Sequence, residues 1–234
     1  MTQKNSTNTK HSCVFCNRQF NDELILLNHK CEKKRRWHDR ESAESRLAFL
    51  IWLRFYELNS FTIQTEKKTF KEFMNTKYYT SFIKFAKHII NLNVIDTNSF
   101  IDYIIKSNLP LNKWTNNQVY ETYISSLLKN EQPENALARN IEFMQNWSNI
   151  TNNNWFDFFR KVNTNQAIIW IQTGRISPWV LFNSESSDLL LNRCNSEQVE
   201  IIDKYINYKI WKIKFAREKE TTEWIRSTLK QAGL

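Results

Sequence analysis

The stretch CVFCNRQFNDELILLNHKC, residues 13–31, constrains this chain more than any other. Cys13 and Cys16 are separated by two residues, the spacing of a tight knuckle that aims both thiolates at one ion. Phe20 follows Cys16 after three residues, Leu26 follows after five more, and His29 after another two. The fourth ligand is the difficulty. On a helix, positions i and i+4 share a face, and Lys33 occupies i+4 from His29. Cys31 stands at i+2, about 200° round a regular helix. It reaches the ion only if the helix ends near His29 and the chain turns back. His38 and His11 are the alternatives. Cys31 is nearest, and zinc favours thiolate, so the expected set is Cys13, Cys16, His29 and Cys31. The expected helix is short, about 23–29, with an irregular turn at Lys30 and Cys31. Three thiolates and one imidazole make a closed, structural site for one Zn2+, with no open position for a catalytic water.

These five spaced positions resemble the C2H2 zinc finger over residues 13–31. The resemblance implies a ββα unit in which Phe20 and Leu26 form a miniature core and His29 projects inward from the helix. Finger relatives that bind DNA read bases from the first turns of that helix. Here those turns hold Asn21, Asp22, Glu23 and Leu24. Two acids repel phosphate, which argues against base reading. The flanks are basic: Arg18 lies before the metal site, and Lys30, Lys33, Lys34, Arg35, Arg36 and Arg40 follow it. About six phosphate contacts give strongly salt-dependent binding without sequence preference. Trp37 adds a stacking surface, or else a core staple.

The formal charge of +9 is unevenly spread, with +7 over residues 1–100, −2 over 101–200 and +4 over 201–234. A basic N-terminal part suggests a polyanionic partner, most simply DNA or RNA. A second basic and aromatic stretch runs from Lys77 to His88. Lys84 and Lys87 are its candidate phosphate contacts and Tyr79 its candidate stacking ring, while Tyr78, Phe82 and Phe85 read as core. The fourth cysteine, Cys194, sits in an apolar stretch and reads as a small buried hydrophobe. The cysteine arithmetic is that of a metal site plus a spare thiol rather than a disulfide framework.

Residues 1–11 read as a disordered tail, 12–36 as a zinc finger with a basic extension, and 39–234 as an all-α domain. The fold class is mainly α: a small ββα finger followed by about ten irregularly arranged helices. Caps are expected at Ser99, Thr115 and Ser177, Pro133 in a first turn, and Gly174 at a left-handed helix end. The best strand candidate is KIWKIKF, 209–215, where a helix also fits. The longest apolar run, LAFLIWL, is too short to span a bilayer. The N-terminus lacks the apolar stretch of a secretory signal, which places the chain in a cytoplasm and off the membrane.

Catalytic signatures are missing. The only glycines are Gly174 and Gly233, so there is no Gly-rich phosphate loop. The most site-like segment is TGRISPWVLFN, where Arg175 and the helix start at Ser177 offer donors to an anion. Its plainer reading is a helix–helix corner around Trp179. Asp102 and Asp157 lie in apolar helices and are the carboxylates a catalytic domain would use. His88 reads as a surface or core residue rather than a base. Beyond the finger, the phrases CEKKRR, RFYEL, YYTSFIKF, FIDYII and ISPW resemble finger-bearing proteins of large tailed bacteriophages that infect marine bacteria. That resemblance implies expression in a host cytoplasm and carries over no activity. The expected function is nucleic-acid binding, of DNA in the first place, largely non-sequence-specific through phosphate contacts. The alternatives are an adaptor contacting a polymerase or replication protein, and a DNA-modifying enzyme docked by its finger.

Overall fold

The structure, a computed structural model, describes residues 10–59 and 68–234. The tail expected over 1–11 lies, through residue 9, outside the described residues, and His11 already belongs to a strand. Strands β1 (His11–Ser12) and β2 (Gln19–Phe20) pair antiparallel, with His11 opposite Phe20. They are followed by α1 (Glu23–Asn28), α2 (Glu32–His38), α3 (Ala43–Asn59), α4 (Phe70–Asn75), α5 (Tyr79–Leu92) and α6 (Thr97–Lys106). Then come α7 (Asn117–Asn130), α8 (Pro133–Thr151), α9 (Phe158–Lys161), α10 (Thr164–Gln172) and α11 (Pro178–Leu181). The chain ends with α12 (Asp188–Leu191), α13 (Ser196–Tyr205), α14 (Tyr208–Arg217) and α15 (Lys219–Gln231). Among the described residues this makes fifteen α-helices, thirteen of them (α3–α15) after residue 39, where about ten are expected. The surplus comes from the four-residue α12 and from α14, which covers the best strand candidate. Residues 209–215 are helical, within α14.

Local chemistry explains the boundaries. The N-cap of α4 is a capping box in which Thr69 and Glu72 each satisfy the other's backbone N–H. Helix α6 starts earlier than Ser99, because Asp96 accepts the Ser99 N–H at 3.0 Å and its hydroxyl at 2.6 Å. Asn116 rather than Thr115 caps α7. Pro133 opens α8, and Ser177 caps α11 through the Trp179 N–H at 3.3 Å. Gly174 has φ +78°, and a Cβ there would come within 2.9 Å of Ile95 Cδ1.

The chain forms two compact units, one comprising Met1–Asn91 and Ile104–Thr115, the other Leu92–Tyr103 and Asn116–Leu234. The first has an aromatic core in which Phe73 meets Tyr79 at 4.9 Å between ring centroids and Phe85 meets Trp114 at 5.1 Å. The buried Trp114 donates its indole N–H to the Leu109 carbonyl at 2.8 Å, so its one polar atom is satisfied. The second unit is built round Phe158, Ile171, Trp179 and Ile225, all fully buried. Its TGRISPWVLFN corner is structural. Ser177 is buried and its N–H goes to Asn140 Oδ1 at 2.9 Å, while Arg175 bonds the Asn93 carbonyl and Thr173 Oγ1. The donors expected to greet an anion are thus spent inside the fold.

Candidate metal centre

Cys13 follows directly on β1, and the chain returns to β2 through a tight knuckle. The Asn17 N–H donates to the Cys13 carbonyl at 2.8 Å, and the Cys13 N–H donates to the Arg18 carbonyl at 2.9 Å. Asn17 takes φ 60°, a left-handed conformation that Asn tolerates better than most residues. The knuckle turns N–H groups toward sulfur. The buried Cys13 thiol is raised by desolvation, but N–H donors from Cys16 and Phe15 and the thiols of Cys16 and Cys31 outweigh this and lower its pKa. At Cys16 the Arg18 N–H works to lower the pKa, yet desolvation and the neighbouring Cys13 and Cys31 sulfurs win and raise it.

Asp22 caps α1 by accepting the Leu24 N–H at 2.7 Å. The helix stops after one and a half turns, because His29 leaves helical space at ψ 117°. Its ring packs against Phe20 with centroids 4.7 Å apart, and Nε2 lies 3.3 Å from Cys16 Sγ. Two residues on, Cys31 is extended, with φ −112° and ψ 158°, and this swings its sulfur back to 4.0 Å from Cys13 Sγ. The ligand atoms of Cys13, Cys16, His29 and Cys31 all lie within 4.8 Å of one another, a group that can hold one metal ion. Among the described residues it is the only such group of three or more His, Cys, Asp or Glu side chains, and neither His11 nor His38 belongs to it.

The basic run does not extend as a linker. It is α2, capped by Cys31, whose sulfur accepts the Lys34 N–H at 3.4 Å. Glu32 in the first turn and Arg35, Arg36 and His38 in the last suit the helix dipole. Helix formation sorts the cations. Arg36 is consumed inside its unit: it pairs with Glu32, donates to the Met74 carbonyl at 2.7 Å, and lies 4.3 Å over the Tyr79 ring. That interaction holds Glu32 below the usual carboxylate range. Lys34 donates to the Leu27 carbonyl at 3.4 Å. Trp37 sits between Phe15 (6.3 Å) and Phe70 (6.4 Å), with Arg40 over its ring at 4.7 Å. These contacts make it a half-buried packing bridge between the knuckle and α4. Arg40 also donates to the Trp37 carbonyl at 3.1 Å and pairs with Glu41 at 3.2 Å.

Arg18, Lys30, Lys33, Arg35, Lys84 and Lys87 remain exposed, with Arg18 5.6 Å over the Phe20 ring. Arg35 and Lys87 line one cleft of about 420 Å³ together with the acids Glu32, Asp39 and Glu44. The two tyrosines exchange the roles expected of them. Tyr79 is buried against Phe73, and Tyr78 is 43% exposed with Lys77 over its ring. The helix begins at Tyr79, so Tyr78 falls outside the 3.6-residue phase that placed it with Phe82 and Phe85.

The acidic start of α1 drew attention in the sequence, but its apolar surface did not. Leu24, Ile25 and Leu27 are 67%, 56% and 64% exposed, and only Leu26 turns partly inward. The signal was the run LILL itself. Six residues make too short a helix to bury four apolar side chains against two short strands.

Asp157 pairs with Lys161 at 3.0 Å and Arg160 at 3.7 Å. Cys194 is half-buried, bonded to the Leu190 carbonyl at 3.5 Å, with its thiol pKa pushed up by burial. No described helix is long and apolar enough to cross a membrane.

No family model matches this chain, and no curated protein or solved structure matches it either. The likeness of the whole chain to phage proteins gains no support from these comparisons.

Proposed function

We propose that the N-terminal unit is a zinc-stabilised finger and that it binds nucleic acid through phosphate contacts. The donor set supports zinc. A tetrahedral ion with thiolates at about 2.3 Å puts neighbouring sulfurs about 3.8 Å apart, and sulfur and imidazole nitrogen about 3.6 Å apart. The separations here are 4.0 Å and 3.3 Å. All four positions are filled by protein, so the ion contributes folding energy to a ββα segment too small to fold alone.

The observation that carries phosphate binding is the set of exposed cations left after α2 forms. Lys30, Lys33 and Arg35 flank the finger, and Lys84 and Lys87 project from α5 in the same unit. The acids in the Arg35–Lys87 cleft weaken any claim to a deep groove. The reading is of a contact strip for the DNA or RNA backbone, with no base selection. About five contacts on duplex DNA give a log K against log salt slope near −4.5. Fluorescence anisotropy on duplex and single-stranded oligonucleotides of several sequences tests this. A steep slope that flattens in Lys33→Ala/Arg35→Ala supports it, and a flat response rejects it.

A second reading has its own observation. The exposed Leu24, Ile25 and Leu27, with Val14 of the knuckle also 79% exposed, favour a protein partner such as a polymerase or replication protein. Under that reading Leu24→Asp/Leu27→Asp abolishes association with the partner and leaves the metal bound.

A further inference from the structure

The second unit contains a cavity of about 840 Å³ that plays no part in the finger. It is bounded by the end of α11, by α12 and α13, and by α15. Phe182, Leu191, Val199, Ile202, Ile206 and Tyr208 give it an apolar floor. Val199 and Tyr208 are 48% and 50% exposed, so the apolar surface is open to solvent rather than filled by the chain. Its size lies within the range of small-molecule sites.

The polar wall is oriented. Asn183 is 6% exposed and fixed in both directions: its amide N–H donates to the Trp179 carbonyl at 3.0 Å, and its Oδ1 accepts Arg226 Nε at 2.9 Å. Arg226 is thereby held by its inner nitrogen. Its two terminal nitrogens have no protein partner among the described residues. A guanidinium held in this way presents the parallel fork that a carboxylate matches.

The acids of the wall are partly spent. Glu185 faces Lys230 at 3.5 Å, and Asp203 accepts both its hydrogen bonds from Asn207 at 3.0 Å. Asp188, the first residue of α12, is left without a partner among the described residues. Its charge opposes any anion in the cavity, so one carboxylate is admitted only where the Arg226 fork outweighs it, and a second has no such counterpart.

We infer that this cavity binds a small amphipathic monocarboxylate, with the chain on the apolar floor and the carboxylate on Arg226. The site is independent of the zinc and nucleic-acid reading.

The test uses the full chain and three probes with one alkyl length, dodecanoate, dodecylamine and dodecanol, below their micelle concentrations, by titration calorimetry. Dodecanoate is expected to bind one per chain and more tightly than the other two. Arg226→Gln, a change on the exposed side of α15, is expected to weaken dodecanoate about tenfold and to leave dodecanol unchanged. Val199→Trp, which narrows the floor from an exposed position, is expected to weaken both. The inference is overturned by an absence of saturable dodecanoate binding, by tighter binding of dodecylamine, or by an Arg226→Gln chain whose dodecanoate affinity stays within twofold. Circular dichroism of each variant shows that the comparison is made between folded chains.

Discussion

Cys31 Sγ accepts the Lys34 N–H at 3.4 Å, so one side chain closes the metal group and starts α2. The two roles are separable. Serine is a good N-cap and a poor zinc ligand. Cys31→Ser is expected to lose the metal and keep α2, whereas Cys31→Ala loses both. Backbone amide exchange over residues 32–38 distinguishes them, with faster exchange expected in the alanine variant.

Arg36 ties α2 to the helical body of the first unit. It bonds the Met74 carbonyl and stacks on Tyr79 with its side chain only 16% exposed. Arg36→Ala is expected to cost about 2–3 kcal/mol, the usual worth of a charged hydrogen bond plus a cation–π contact. Arg36→Lys restores little of it, because the planar fork and stack are lost. Chemical denaturation measures both.

Gly174 allows no side chain. Its φ of +78° and the 2.9 Å approach of Ile95 to a built Cβ penalise alanine twice. Gly174→Ala is expected to destabilise by roughly 1–3 kcal/mol. The same alanine placed at Gly233, where the nearest atom would be 3.5 Å away, keeps only the backbone strain and costs less.

His88 gives the second source of acid sensitivity, after the metal ligands. Burial lowers its pKa below the ordinary histidine value, and its Nε2 is buried without a partner among the described residues. The unfolded chain therefore takes up a proton near pH 6.5 that the folded chain refuses. Stability from this group is complete above that pH, declines as pH falls toward the folded pKa, and stays lost below it. The melting temperature of the wild type minus that of His88→Gln, followed across pH 4.5–8, is expected to decrease as pH falls.

The metal site was legible because ligand chemistry requires particular residue types at particular spacings. The Cys-x2-Cys pair, the Phe20 and Leu26 positions and the early end of α1 follow from that constraint. Helix α2 was hidden because its cap is a cysteine already assigned to metal binding, and because KKRR reads as a solvated run until Glu32 and Arg36 are placed one turn apart. The exchange of Tyr78 and Tyr79 has a simpler cause. Adjacent aromatics lie 100° apart on a helix, so the first helical residue decides which is buried, and periodicity alone fixes that boundary only to within a residue or two. The short helix α12 falls below the length at which apolar spacing repeats, whereas the equally short α11 was legible through its Ser177 cap and Pro178 rather than through spacing. The exposed face of α1 was present in the letters LILL, but exposure depends on how little surface two short strands offer in return.

The most direct test of the central claim is metal quantification on the purified chain and two variants. Zinc is expected at one ion per wild-type chain and per His38→Ala chain, and well below half an ion in Cys31→Ser. Near-stoichiometric zinc in Cys31→Ser together with its loss from His38→Ala would contradict the Cys13–Cys16–His29–Cys31 site.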